Sequence, residues 1–298
     1  MASFESAVVL LLISSISLAN EYKIKVNSEM PGPFTRELSL QNPLQTGKDV
    51  IILQNLLKRH QTTKDINISS HYDIATAEAV QRFQEAVGLP GSGVVCPKTA
   101  HKVLDKLLSD GFKDDGLVPA PYKFKLVVPV YRDRTKETTA VLLDAKSQPV
   151  YKFRIRAHGG MQDDGTAINQ LTRNGNTPTG LSTFDLNSKE PIPKSYGPYP
   201  VVRIVKGIKG NSAIGYGNDT LLSNYRSGIL LHTGEWDGWD PSKPMPNSLG
   251  CMHCAPEDMK NVVDILVKEL GVKVRPNPFG KLPYPYVPQG LIAIEEIN

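Results

Sequence analysis

The sequence predicts a multidomain α and β protein: a small three-helix bundle followed by a mainly β domain with one helix after its most reactive cysteine. Three observations carry this. Apolar residues recur at helical spacing between about Gln41 and Ser109. Beyond Tyr122 the pattern changes to short aliphatic and β-branched runs bounded by turn residues. Between them Gly111–Tyr122 (GFKDDGLVPAPY) is polar, with glycine and proline, and reads as a linker.

The helices follow from their apolar faces. Val50, Leu53, Leu56 and Leu57 make the first. Ala79, Val80, Phe83 and Val87 make the second, behind an Asp73 cap. Ala100, Val103, Leu104, Leu107 and Leu108 make the third, opened by Pro97 in its first turn. Expected strands are Lys125–Val130, Thr139–Leu143, Val150–Ile155, Val201–Val205 and Ile229–Leu231, with Val272–Val274 as a candidate last strand. Met259, Val262, Val263, Leu266 and Leu270 form one face of a helix from Pro256 to about Leu270, stopped by Gly271. The segment Pro276–Pro288 is proline-rich and reads as irregular surface chain.

The chain has 298 residues, enough for two domains. Lys plus Arg number 34 against 30 Asp plus Glu, a net charge of +4 with no basic stripe, which argues against nucleic acid as a partner. Ala7–Ile16 is almost wholly apolar and is followed by Ser17-Leu18-Ala19. That is the pattern of a secretory signal peptide over 1–19, so a secreted protein is expected, with no membrane segment after cleavage. Asn67 and Asn218 begin N-x-S/T sequons, glycan acceptors in a eukaryotic secretory route. The expected boundaries are 38–110 for the helical domain, 111–121 for the linker, 122–276 for the β domain and 277–298 for a proline-rich extension.

The chemistry concentrates in Leu231-His232-Thr233-Gly234 and Ser248-Leu249-Gly250-Cys251-Met252-His253-Cys254. A thiol becomes a nucleophile by losing its proton, and an imidazole can accept it. Gly250 permits a tight turn before Cys251, and backbone N–H groups around Gly250 and Cys251 are candidate oxyanion donors. Three cysteines leave one unpaired, so a Cys251–Cys254 disulfide is one alternative, and zinc held by His232, Cys251, His253 and Cys254 is another. His101 and His158 read as ordinary surface or core histidines.

Two resemblances sharpen this. Gly47-Lys48-Asp49-Val50, Leu53-Gln54, Thr76, Ala79-Val80, Phe83-Gln84, Gly88-Leu89, Gly93-Val94 and Thr99 resemble, in order and spacing, the peptidoglycan-binding-like module. His232, a gap of fifteen residues, then Ser248-Leu249-Gly250-Cys251-Met252, with Thr177-Pro178-Thr179-Gly180 and Phe184 upstream, resemble the L,D-transpeptidase (YkuD-type) catalytic pattern. That resemblance implies a mainly β domain, no cofactor or metal, and peptidoglycan, stems and glycan, as partner. It implies Cys251 as nucleophile, His232 as base and the carbonyl of Thr233 as the group that orients the imidazole. Ser248, Gly250, Met252 and His253 would shape and support the anion pocket. The reaction implied is attack on the amide after the L-residue of a tetrapeptide stem, a thioester, and release to an amine or to water, as L,D-transpeptidase or L,D-carboxypeptidase. The sequence departs from the pattern at Leu249, at His253, where the family has Arg or Asn, and at Cys254. These departures keep a non-catalytic peptidoglycan-binding protein and a thiol–disulfide protein open as alternatives.

Overall fold

The chain divides into two units between Leu108 and Ser109. A computed structural model describes residues 28–163, 165–216, 226–281 and 283–298. The expected signal peptide and the Asn218 sequon lie outside the described residues, whereas Asn67 is exposed.

In the first unit the described helices are α1 (Lys48–Leu57), α2 (Ile74–Ala86) and α3 (Pro97–Leu107). Asp73 caps α2 by accepting the Thr76 N–H at 2.8 Å. Val50, Leu53, Leu56, Ala79, Val80, Phe83, Ala100 and Val103 meet in a core from which water is excluded. Two glutamines sit fully inside it. Gln54 accepts the Ser69 N–H at 3.0 Å and donates to His71 O and Thr76 Oγ1, while Gln84 accepts the Gly93 N–H at 2.9 Å and donates to Val94 O. Each amide satisfies loop backbone groups that would otherwise be buried without partners.

The second unit is a closed barrel. Its strands are β1 (Phe124–Tyr131), β2 (Thr138–Asp144), β3 (Pro149–Arg156), β4 (Gly180–Asn187), β5 (Val201–Lys209), β6 (Leu230–His232), β7 (Met252–Cys254) and β8 (Gly290–Ile297), in the order β1-β2-β3-β7-β6-β5-β4-β8 around the wall. The pairs β1–β8 and β6–β7 are parallel and the rest are antiparallel. Phe124, Leu126, Phe153, Ile155, Phe184, Ile204, Leu231, Met252 and Ile292 fill the interior. Short helices α4 (Pro193–Tyr196) and α5 (Gly210–Tyr216) lie between strands. Helix α6 (Pro256–Asp264) follows β7 and runs on as a π-helical turn, Ile265–Glu269, burying Met259, Val262 and Leu266.

Three expectations need correction. The segment after residue 276 is not an appended extension, because β8 supplies the wall between β1 and β4. Its prolines concealed the apolar run Leu291–Ile294, all of it buried. The stretch before it is anchored by side chains: Tyr284 donates to Asp185, which also accepts the Gln289 amide. Val272–Val274 forms no strand, and only an isolated bridge joins Arg275 to Asn187.

The expected linker also packs on the barrel. Lys125, 1% exposed on β1, carries its ammonium 2.9 Å from Asp114 and 3.0 Å from Asp115. Asp114 is buried beside it, with 6% of its side chain exposed, whereas that of Asp115 is 68% exposed. The two carboxylates therefore differ in weight. Asp114→Ala is expected to destabilise the barrel unit by about 1–3 kcal/mol, because it strips a buried cation of its shielded partner. Asp115→Ala should cost about 0–1 kcal/mol, as for an exposed pair. Urea unfolding of the full chain measures both, and equal effects would refute the assignment.

Candidate functional site

The site is built on the parallel pairing of β6 with β7. Its register sets Leu231 beside Met252 and His232 beside His253. Side chains alternate across a strand, so the chain from Cys251 to Cys254 presents alternate residues to opposite faces. Met252 and Cys254 face the hydrophobic core and are fully buried there. Cys251, His253 and His232 line a cavity of about 400 Å³ on the other side, together with Tyr196, Trp236, Ser248 and Leu249.

The parity disposes of one alternative. Cys254 Sγ lies 3.7 Å from Met259 Sδ in the core, and Cys96, Cys251 and Cys254 are all free thiols. Cys251 and Cys254 point away from each other. Among the described residues no group of three His, Cys, Asp or Glu side chains is gathered around a point that a metal ion could occupy.

His232 is 3% exposed at the end of β6. Its Nδ1 lies 2.6 Å from the Thr233 carbonyl oxygen. A carbonyl can only accept, so Nδ1 carries the proton and Nε2 keeps its lone pair. Burial lowers the His232 pKa to about 4. The Thr233 hydroxyl has no partner, so this residue acts through its carbonyl. His253 repeats the arrangement: Nδ1 is 2.8 Å from Pro246 O, and burial, with His232 beside it, lowers the pKa to about 3. The two imidazoles meet edge to face with centroids 4.7 Å apart. Tyr196 also lies against His232, and Trp236 against His253, each with ring centroids 5.0 Å apart.

Cys251 is half-buried, its Sγ 3.4 Å from the Gly228 carbonyl. Desolvation pushes the thiol up to about 11, against the smaller opposing pull of a backbone hydrogen bond from Leu230 and of the Arg203 and Arg226 charges. The resting pair is thus neutral thiol and neutral imidazole.

The turn before Cys251 is held from three sides. Ser248 Oγ lies 2.6 Å from His158 O and 2.7 Å from Cys251 O, and accepts the Gly250 N–H at 2.9 Å. Gly250 therefore gives its N–H to Ser248 and contributes shape rather than a donor for an oxyanion. Its φ is +109°, and a Cβ there would fall 2.2 Å from Arg226 Nη2 and 2.8 Å from Gly175 O. Thr177 Oγ1 donates to Gly250 O at 2.9 Å. Arg226, 3% exposed, donates from Nη1 to Gln170 O and Asn176 O and from Nη2 to Gly175 O. It clamps the Gly175–Gly180 turn against the cysteine loop.

His158 proves to be more than an ordinary histidine in one respect: its carbonyl anchors Ser248. His101 lies in the helical unit, its Nε2 3.2 Å from Glu29 O. Tyr196, Trp236 and Arg226 escaped the sequence reading. Trp236, four residues after His232 and half-buried in the folded chain, is the one of the three with a local sequence signal, an aromatic beside a reactive segment.

Residues 133–274 match the family model of the L,D-transpeptidase catalytic domain, and residues 46–102 match that of a peptidoglycan binding domain. No curated protein matches the chain. Solved structures similar to it include a fused Zn-dependent amidase/peptidase/peptidoglycan-binding domain-containing protein from Clostridium acetobutylicum ATCC 824. That match has 15% identity, covers 87% of this chain and 99% of that one, and has a TM-score of 0.25. Another is an L,D-transpeptidase (Yku) from Stackebrandtia nassauensis, with 14% identity, coverage of 86% and 96%, and a TM-score of 0.27. Two family models thus match successive parts of the chain, that of a peptidoglycan binding domain over residues 46–102 and that of an L,D-transpeptidase catalytic domain over residues 133–274.

Proposed function

We propose that the protein is a cysteine acyl-transferase that opens peptidoglycan peptide stems through a thioester on Cys251, as an L,D-transpeptidase or L,D-carboxypeptidase. The observation that carries the reading is the shared cavity of Cys251 and His232, with the His232 tautomer fixed by the Thr233 carbonyl so that Nε2 is free to take a proton. In the first step the Cys251 sulfur attacks the stem carbonyl as its proton passes to His232 Nε2. The proton then goes to the leaving amine as the C–N bond breaks. In the second step an amine or water attacks the thioester, and the thiol is restored. The Cys251 N–H is the proposed oxyanion donor, since that of Gly250 is engaged by Ser248. The peptidoglycan binding family match of the helical unit supports attachment to the wall, and the apolar segment 7–16 supports export.

Two measurements test this. Incubation with a tetrapeptide stem should release its terminal residue or cross-link it to an added amine, read by product mass. Cys251→Ala should abolish both products, and His232→Ala should slow them about 10²–10⁴-fold. A wild-type protein that makes neither product sinks the reading.

The second measurement concerns charge. A thiol with its pKa raised to about 11 is protonated at neutral pH, and the thiolate fraction grows as pH rises toward that value. Iodoacetamide trapping of Cys251 in the free protein should therefore be slow at pH 7 and quicken about tenfold per pH unit up to about pH 10. A rate that is already high and flat between pH 6 and 8 would instead indicate a preformed thiolate–imidazolium pair.

A further inference from the structure

The reading above gives His232 its role and leaves His253 without one. His253 lies two residues after Cys251 on the same strand face, 5% exposed, and lines the same cavity. Its Nδ1–H is committed to Pro246 O, so its Nε2 can only accept. His232 Nε2 is an acceptor by the same logic. Burial holds both rings well below the ordinary imidazole range, so both lone pairs are available at neutral pH. The cavity thus presents two fixed acceptor nitrogens on rings 4.7 Å apart.

The first half-reaction needs only one acceptor, because the single proton in transit is that of Cys251. The second half-reaction brings in a new nucleophile, and an amine or a water carries two hydrogens. We propose that His253 is a catalytic residue of this second step: its Nε2 accepts a hydrogen bond from one hydrogen of the incoming nucleophile while His232 Nε2 takes the other as a proton. The balance closes. The nucleophile's nitrogen or oxygen bonds to the thioester carbon, the C–S bond breaks, and the proton taken by His232 passes to the Cys251 sulfur. The hydrogen held by His253 stays on the product, as the N–H of the new amide or the O–H of the new acid. Trp236 against one side of the ring and the Pro246 carbonyl at Nδ1 keep His253 from turning away.

This inference rests on the thioester reading, and the test separates the two. Two variants are compared with the wild-type full chain by intact mass after rapid quench. His253→Phe keeps a ring against His232 and Trp236 but removes the acceptor. His253→Gln removes the ring but restores an acceptor oxygen. Formation of the acyl-enzyme from a tetrapeptide stem is timed first, and its decay on adding a primary amine second. In His253→Phe, acylation should stay within about threefold of wild type while decay slows about tenfold or more, the worth of one hydrogen bond made in that step. His253→Gln should recover much of the decay rate. Equal slowing of both steps in His253→Phe, or no slowing of decay in either variant, overturns the role of His253. Absence of any acyl-enzyme in the wild-type protein overturns the thioester reading instead. If His253→Phe fails to fold, His253→Leu takes its place: acylation within about threefold of wild type with decay slowed about tenfold or more supports the proposal, and equal slowing of both steps or no slowing of decay refutes it.

Discussion

The register of two three-residue strands governs everything chemical in this molecule. With Leu231 beside Met252 and His232 beside His253, odd positions of the Cys251–Cys254 segment turn to the cavity and even ones to the core. A slip of one residue would send the Cys251 thiol among aliphatic side chains and bring Met252 into the cavity. Strands so short cannot hold a register alone. Their neighbours hold it: β5 pairs with Leu230 and Leu231, and β3 pairs with His253 and Cys254. The closed barrel is therefore part of the chemistry, since closure leaves neither short strand at an edge.

The loops that complete the site are fixed by polar contacts rather than by packing. Arg226 spends its guanidinium on three backbone carbonyls of the Gln170–Asn176 region, and Thr177 and Ser248 then reach the cysteine turn from two directions. A buried cation with carbonyl partners has few alternatives once desolvated, so the arrangement is rigid. Gly159 is drawn into the same knot, where a Cβ would fall 2.1 Å from the Gly175 carbonyl carbon. The close approach of these backbone segments explains why the Gly175–Gly180 turn and the cysteine loop, more than seventy residues apart in sequence, act as one piece.

Much of this was legible beforehand, and the remainder was hidden for identifiable reasons. The helical faces of the first unit and the long strands β1, β2 and β3 follow from periodicity, and the family matches bear out the resemblance carried by the His232 and Cys251 blocks. Strand β6 follows from the apolar run Ile229–Leu231, whereas β7 is too short to announce itself, so the parity that separates Cys251 from Cys254 was not legible beforehand. Strand β8 lies beyond the matched catalytic span, behind prolines, and its partner β1 lies before that span, so the closure of the barrel joins two segments that read as flanks. Arg226, Tyr196 and Trp236 sit in connections, where no periodic pattern exists and only the folded chain brings them to the cysteine.

The charge state of the cavity follows from the same burial that fixes its shape. Desolvation raises the Cys251 thiol to about 11 and lowers the His232 imidazole to about 4, and both shifts favour the neutral forms over a resting ion pair. In the mechanism proposed above, proton transfer to His232 therefore accompanies attack on a carbonyl bound in the cavity, whereas a small oxidant or alkylating agent meets a protonated sulfur. A sulfur kept protonated until substrate arrives is shielded from oxidants by the same desolvation that sets its reactivity.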